Sequence, residues 1–158
     1  SETTLEQQGD RELVISRLFQ APPRIVFDAW TKPEFVRRWY APASLEVSLV
    51  SVEAELRVGG KWRYVLKPAQ HPQFAFYGEY KEITPPSKLV YTQIYEPFPD
   101  QPILTTITFE DRGQQTFLVS PELYHSAESL QAALSSGMEY GMRATMDQLD
   151  EVVQSLRG

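Results

Sequence analysis

The chain has 158 residues, of which 42% are hydrophobic and 23% are charged, and this composition is typical of one folded domain with an ordinary core. A formal net charge of −6 leaves no broad positive surface, which argues against nucleic acid and acidic membranes as partners. The sequence contains no cysteine, which excludes disulfides, thiol catalysis and thiolate metal sites and favours a cytoplasmic location.

The first part of the chain predicts a tail, a strand and two short helices. Residues 1–10 are polar and are predicted to form a flexible tail, so that 11–158 make a single domain. Residues 12–20 alternate between apolar and polar side chains, which predicts the first strand. Pro23 and Pro33 then suit the first turns of two short helices, the second of which ends before Pro42.

The middle of the chain has the period-two pattern of strands. Short turn sequences separate the runs, which predicts that successive strands are antiparallel and form a meander. The last segment, residues 126–156, has apolar residues at helical spacing and no proline, which predicts one long helix. Gly137 and Gly141 predict a bend or close backbone packing within it. The predicted strands are 46–55, 61–67, 74–83, 88–95, 104–110 and 115–120.

These elements predict an α+β fold in which a curved antiparallel sheet wraps around the long C-terminal helix. A sheet of this kind must cover one face, and only the final helix is long enough to do so. A sheet that curls around one helix tends to leave space between them, and such spaces are where small apolar molecules bind. No membrane-spanning segment is expected, because no apolar run approaches the roughly 20 residues that a membrane helix requires.

Several sequence segments, in the same order along the chain, resemble a known family. They are 21–30 (APPRIVFDAW), 39–42 (WYAP), 56–62 (LRVGGKW) and 78–92 (GEYKEITPPSKLVYT). From Leu13 to Leu156 the chain resembles the heat-shock protein 90 ATPase activator homologues of the START/SRPBCC (birch-pollen-allergen-like) superfamily. The resemblance implies a helix-grip fold and a hydrophobic cavity between the sheet and the helix.

The resemblance leaves the function open, because related proteins include ligand carriers, polyketide-modifying enzymes and co-chaperone domains. A stress-related role would also fit it. This chain departs from the family pattern at two positions. The family often has Gly-Trp where this chain has Gly141-Met142, and an aromatic residue is common at the position of Gln93.

Aromatic residues on the strands and early helices are the most informative candidates for a binding site. Lys61 and Arg63 should face water, so that Trp62 and Tyr64 should face inward. Core packing would explain most of these aromatic residues, whereas inward hydroxyls and Gln93 would give a cavity its polar anchors. The predicted ligand-binding residues are Trp39, Trp62, Tyr64, Phe76, Tyr80, Tyr91, Gln93, Phe109, Met138 and Met142.

The sequence contains no motif that indicates catalysis or cofactor binding. His71 and His125, the only histidines, have no metal-ligand spacing and are expected at the surface. No nucleotide-binding or hydrolase motif is present, so we predict no catalytic residue, no metal and no cofactor. The strand carboxylates are expected to be solvated, although a buried one would be a candidate general base. They are Glu46, Glu53, Glu55, Glu79 and Glu82.

Three functions follow from this reading. The first is binding of a small apolar or aromatic molecule, or a lipid, without covalent chemistry. The second is an enzyme of the cyclase or hydrolase type, which would require polar groups inside the cavity. The third is a co-chaperone-like domain, which would require an exposed apolar patch for its chaperone partner. The identity of the ligand and the oligomeric state stay open.

Overall fold

A computed structural model describes residues 2–157 as an α+β fold built on one eight-stranded antiparallel sheet. Ser1 and Gly158, the outer ends of the predicted tail and domain, lie outside the described residues. The strands are β1 (Thr4–Gln8), β2 (Glu12–Phe19), β3 (Val47–Ala54), β4 (Lys61–Pro68), β5 (Phe74–Thr84), β6 (Lys88–Tyr95), β7 (Ile103–Asp111) and β8 (Thr116–Leu123). The helices are α1 (Pro23–Thr31), α2 (Pro33–Val36), α3 (Ala127–Ser135) and α4 (Met138–Arg157), and a short 3-10 helix covers Ala43–Leu45.

The strand order is β1-β2-β8-β7-β6-β5-β4-β3. Strands β3 to β8 therefore form the predicted meander, and all their pairings are antiparallel. The first strand after the tail, β2, pairs with the last one, β8, which joins the two ends of the chain. The prediction of a curved antiparallel sheet with two short helices after its first strand and a long C-terminal helix is confirmed.

The N-terminal segment differs from the sequence prediction. Residues 4–8, predicted as part of a loose tail, form the edge strand β1, which pairs with β2 from Thr4 opposite Ser16 to Gln8 opposite Glu12. The preceding Thr3 is buried and accepts hydrogen bonds from Arg17 and Arg143. The polar composition hid this strand because an edge strand held by backbone and polar contacts needs few apolar side chains.

The C-terminal segment is two helices, so the prediction of one continuous helix is wrong at Gly137. This residue has φ of +81°, a left-handed conformation that glycine adopts at little cost and that ends a right-handed helix. Helix α3 begins with a capping box, in which Ser126 and Ser129 exchange side-chain and backbone hydrogen bonds. Helix α4 has 20 residues, about 30 Å of helix, which is enough to cross the sheet.

The main core lies between the inner face of the sheet and helices α1 and α4. From α4 the buried side chains Met146, Leu149, Val152 and Val153 face the sheet. Trp62 and Tyr64 are buried as the alternation of β4 predicted, while Lys61 and Arg63 are exposed. Among residues 2–157, no helix is both long enough and apolar enough to cross a membrane.

Candidate functional site

A pocket of about 360 Å³ lies between the inner face of the sheet and the start of helix α4. Its walls are aromatic and aliphatic side chains from β4, β5 and β6, from the segment that follows α2, and from α4. All three methionines of the chain, Met138, Met142 and Met146, line it. Ser136 and Gly137, at the break between α3 and α4, also border it. The pocket therefore lies where the C-terminal helix is interrupted.

The structure brings six of the ten predicted residues into this pocket: Trp39, Phe76, Tyr91, Gln93, Met138 and Met142. Three more, Trp62, Tyr64 and Tyr80, surround an adjacent narrow space of about 20 Å³ that also borders Trp39 and Tyr91. The tenth, Phe109, lies in neither space. Its ring packs against Phe27 at a centroid distance of 5.3 Å in the fully buried core. Phe109 was predicted to bind ligand, but the structure places it in packed core.

Helix α4 fixes the segment that forms one wall of the pocket. The Gln148 side chain donates hydrogen bonds to the carbonyl oxygens of Trp39, at 3.0 Å, and Ala41, at 2.8 Å. Its amide oxygen accepts a hydrogen bond from the Ala43 backbone at 2.9 Å. The indole of Trp39 donates to the carbonyl of Ala29, at 2.9 Å, which anchors the ring to α1. This wall is thus pre-formed by hydrogen bonds that no ligand is needed to complete.

The aromatic side chains around the pocket form one connected cluster. Trp62 contacts Tyr64 at 4.8 Å and Tyr91 at 5.6 Å between ring centroids, and Tyr40 contacts Tyr64 at 4.8 Å. Burial raises the pKa of Tyr64 and of Tyr91 well above the usual value for tyrosine. Their hydroxyls therefore stay protonated at neutral pH and can donate hydrogen bonds to a ligand or to one another.

Glu122 is a charged pocket residue that the sequence did not single out. It lies on β8 and contributes to the polar part of the lining together with Gln93, Ser120, Ser136 and Thr145. The Tyr124 hydroxyl donates a hydrogen bond to its Oε1 at 3.3 Å. Burial among apolar side chains raises the pKa of Glu122 to about 7, and the bond from Tyr124 opposes this rise.

A sequence signal for Glu122 existed. Thr116, Leu118 and Ser120 alternate as the buried residues of β8, and the same period leads to Glu122. The predicted strand stopped at Ser120 because Pro121 is unusual inside a central strand. Here Pro121 is opposite Val14 of β2, and the strand continues through it to Leu123. Extending the alternation across the proline would have placed a carboxylate inside the pocket.

The raised pKa of Glu122 predicts that stability falls as this carboxyl ionises. Since the folded state holds the proton more tightly, the stabilisation present below about pH 4.5 is lost as pH rises through about 7. Over this pH range we expect the free energy of unfolding of the native protein to fall by about 1–3 kcal/mol more than that of Glu122→Gln. Water in the open pocket keeps this difference below the full value that the pKa shift would give. Urea unfolding at several pH values measures this difference.

A surface carboxylate supplies the control for that experiment. The pKa of Glu79 is lowered by hydrogen bonds from Lys61 and Lys81 on the outer face of the sheet. The variant Glu79→Gln should therefore keep the same decline in stability as the native protein above about pH 4.5. An identical pH profile for the native protein and Glu122→Gln would contradict the assignment of Glu122 as a buried, proton-holding carboxyl.

Comparison with known families identifies the family of this chain. Residues 20–154 match the family described as Activator of Hsp90 ATPase homolog 1-like protein, which is most of the chain. The chain belongs to this family. The resemblance identified from the sequence segments is therefore confirmed. Gln93 and Met142, the two positions at which the sequence departs from the family pattern, both line the pocket.

Solved bacterial structures share the fold. A crystal structure of a protein from Rhodobacter sphaeroides has a TM-score of 0.88 at 21% sequence identity, and the alignment covers 98% of this chain and 99% of that one. A crystal structure from Mycobacterium smegmatis has a TM-score of 0.84 at 23% identity, with 96% of each chain covered. A solution structure from Arthrobacter aurescens has a TM-score of 0.85 at 22% identity, covering 98% of this chain and 93% of that one. A comparison with curated proteins found no match.

The outer face of the sheet carries a larger and more open groove, of about 1230 Å³. Its floor is crossed by ion pairs, among them Arg63 with Glu96 at 2.9 Å and Lys61 with Glu79 at 2.6 Å. These charges are already paired and solvated, which is the ordinary state of a sheet surface. The inner pocket, with aromatic walls and a few polar groups, has the composition of a small-molecule site.

The remaining predicted polar residues lie at the surface. His71 and His125 are exposed, and Glu46, Glu53 and Glu55 are exposed on or beside β3. Glu79 and Glu82 form ion pairs with lysines on the outer face. Within the part of the chain that the structure describes, no group of three or more histidine, aspartate or glutamate side chains could hold a metal ion.

Proposed function

We propose that this protein binds a small apolar or aromatic molecule in the inner pocket. The observation that carries the proposal is an open space of about 360 Å³ between sheet and helix, lined by aromatic rings and three methionines. That volume lies near the lower end of the roughly 300–1,000 Å³ of ordinary ligand pockets. Methionine side chains are flexible and polarisable, so this wall can adapt to ligands of different shape.

Membership of the family supports the same proposal in a coarser form, since the family implies a ligand-binding or co-chaperone-like domain. For the second of these roles an exposed apolar docking patch would be required. A pull-down with an Hsp90 chaperone tests that alternative directly. Because the chain is cysteine-free and acidic, we propose that the protein is cytoplasmic. A stress-related role is compatible with this location.

An enzyme is the second candidate, and one observation favours it. Glu122 is a carboxyl in an apolar pocket whose pKa of about 7 suits proton transfer near neutral pH. The Tyr91 and Ser120 hydroxyls lie in the same pocket and could orient a substrate. Turnover of a substrate that is lost in Glu122→Gln while binding persists would establish this function. Binding without turnover leaves the first proposal as the function.

The first proposal predicts saturable uptake of an apolar dye by the native protein. Nile red, an uncharged dye that fluoresces in apolar surroundings, is expected to bind with a stoichiometry of about one. Uptake that appears only after partial unfolding in urea would mean that the dye reports an exposed core, and it would contradict the proposal.

The variant Met142→Trp is expected to weaken dye binding while the melting temperature holds or rises. Met142 lines the pocket, so the larger ring can enter the open space and gain apolar contacts there. In a filled core the same change would cost roughly 1–3 kcal/mol. Parallel dye titration and thermal unfolding separate the two cases, because a lower melting temperature with unchanged binding would show that Met142 packs in a filled core.

Tyr140→Trp is the matched control for this variant. Tyr140 lies on the same helix, two residues before Met142, but its side chain is 62% exposed. Adding an indole there changes the aromatic content of the chain without changing the pocket. We expect dye affinity and melting temperature to match those of the native protein.

A further inference from the structure

We infer that the inner pocket selects apolar molecules that carry a hydrogen-bond donor, best a protonated amine, and that Glu122 is the group that recognises this donor. The inference rests on the proposed function and names the class of ligand. It predicts discrimination between molecules that have the same apolar body and differ only in the polar group at one end. Carboxylates of the same length are the molecules that the pocket should reject.

The geometry of the sheet gathers polar side chains at one place in an otherwise apolar wall. Strand register sets Tyr91 of β6 opposite Thr105 of β7, and Thr105 opposite Glu122 of β8. Directly opposed residues of paired strands point to the same face, so the three side chains form one row on the inner face. Gln93 follows two residues after Tyr91 on β6 and also lines the pocket.

This row has hydrogen-bonding capacity that the described residues do not use. The Oγ1 atom of Thr105 is buried and has no partner among residues 2–157, but Thr105 does not line the pocket, so Tyr91 and Glu122 are the members of the row that a ligand can reach. An ionised carboxylate can accept about four hydrogen bonds, whereas Glu122 receives one described bond, from Tyr124 at 3.3 Å. Buried acceptors without partners are costly, so a molecule in the pocket that donates hydrogen bonds to Glu122 supplies partners that the described residues lack.

The charges around Glu122 indicate which donor is favoured. No lysine, arginine or histidine belongs to the described pocket lining. Strand β2 offers Leu13 opposite Glu122, and the helix side of the pocket offers methionines and Thr145. The titratable side chains that Glu122 influences are the neutral Tyr40, Tyr91 and Tyr124.

The described pocket lining therefore provides no cation to balance this carboxylate. A ligand ammonium group would supply both the charge and up to three donors, while a ligand carboxylate would add a second negative charge. An alcohol offers one donor without charge and should lie between them. The order of affinity expected from the structure is octylamine, then octanol, then octanoate.

The test displaces bound Nile red with these three compounds at about pH 8, where Glu122 is ionised. In the native protein octylamine is expected to displace the dye at a concentration at least about tenfold lower than octanoate. In Glu122→Gln the displacing concentrations of octylamine and octanoate should differ by less than about threefold, because the amide keeps the shape of the side chain but loses its charge. Equal displacement by amine and acid in the native protein would overturn the inference.

Controls separate specific recognition from general attraction of cations to an acidic protein. Glu79→Gln removes the same unit of charge from the outer face and should keep the native preference. A preference that weakens equally in Glu79→Gln and Glu122→Gln would show that net charge is the cause and would also overturn the inference.

If Glu122→Gln does not fold, the pH dependence of octylamine binding by the native protein tests the inference instead. Its affinity for octylamine should rise at least about threefold between pH 6 and 8 as the carboxyl ionises, and a flat profile counts against the inference.

The result also distinguishes this inference from the function on which it rests. Nile red bound at about one per chain but displaced equally by amine and acid would leave the proposed function standing and remove only the donor preference. No binding of Nile red by the native protein would remove both.

Discussion

Gly78→Ala is expected to lower the free energy of unfolding by more than about 4 kcal/mol, the largest effect of any single substitution considered for this chain. A Cβ atom at this position would lie 1.7 Å from the carbonyl oxygen of Thr92 and 2.8 Å from Nε1 of Trp62. The first neighbour is backbone of the adjacent strand, so it cannot move aside as a flexible side chain would. The indole of Trp62 donates a hydrogen bond to this same carbonyl at 3.2 Å. The alanine methyl would therefore disturb strand pairing and the aromatic cluster together.

A second glycine of the chain gives a matched control of opposite sign. Gly141 lies within α4, and a Cβ there would meet Leu45 at 3.5 Å and Pro42 at 3.9 Å, which are ordinary contacts. Gly141→Ala should therefore raise stability by about 0.5–1 kcal/mol, the usual gain of alanine over glycine in a helix. Urea denaturation of both variants measures the contrast. A Gly78→Ala protein that unfolds at nearly the native urea concentration would show that β5 and β6 do not approach as closely as described.

The double variant Asp147→Ala, Asp150→Ala removes the two carboxylates that face Arg17, and we expect it to lower the free energy of unfolding by about 3–5 kcal/mol. The Arg17 side chain is 4% exposed and lies between β2 and α4, bonded to Asp147 at 2.6 Å and Asp150 at 3.3 Å. Its Nε has no partner among the described residues. Without the two aspartates a charged guanidinium would remain buried, with Thr3 as its only described side-chain hydrogen-bond partner and the centroid of the Phe19 ring 5.7 Å away. Alanine favours helix more than aspartate, so the loss cannot be attributed to helix propensity.

Replacing the arginine is expected to cost much less. Arg17→Met keeps the apolar stem and leaves the two aspartates behind, of which Asp147 is 69% exposed and can be hydrated. We expect Arg17→Met to lower the free energy of unfolding by less than about 2 kcal/mol. Adding Arg17→Met to the double aspartate variant should restore most of the stability that the double variant loses. Chemical denaturation of the native protein, Arg17→Met, the double aspartate variant and the triple variant measures all four stabilities and gives the coupling between Arg17 and the aspartates. Equal losses for the arginine and aspartate variants would contradict the burial of the charge at Arg17.

The sequence predicted the order and type of nearly all elements because the alternation of β3 to β8 is regular and the turns between them are short. It did not predict β1, whose pairing with β2 depends on backbone hydrogen bonds and on Thr3, not on an apolar pattern. It also allowed only for a bend at Gly137, since a left-handed residue between two helical patterns leaves the apolar spacing almost unchanged.

The candidate site was predictable only in part, for a similar reason. Period two says which face a strand residue occupies, so it placed Trp62 and Tyr64 inward correctly. It cannot say whether an inward residue meets packed core or open space, because that depends on where the helix lies and where it is interrupted. Arg17 and Glu122 show a second limit, since both are charged residues on inward positions of their strands. Arg17 is accommodated by the aspartates of α4, which the local pattern of β2 does not contain, and Glu122 by the pocket and by the Tyr124 hydroxyl just beyond the end of β8.

The three methionines allow ligand binding in the inner pocket to be tested by nuclear magnetic resonance. Met138, Met142 and Met146 are the only methionines of the chain, and all three line the pocket. With their methyl groups labelled, titration of the native protein with octanol should shift all three signals along one saturable curve with about one site per chain. If Nile red and octanol bind while the three methyl signals stay in place, the ligand does not enter the space between the sheet and α4, and the account of this pocket as the binding site is contradicted.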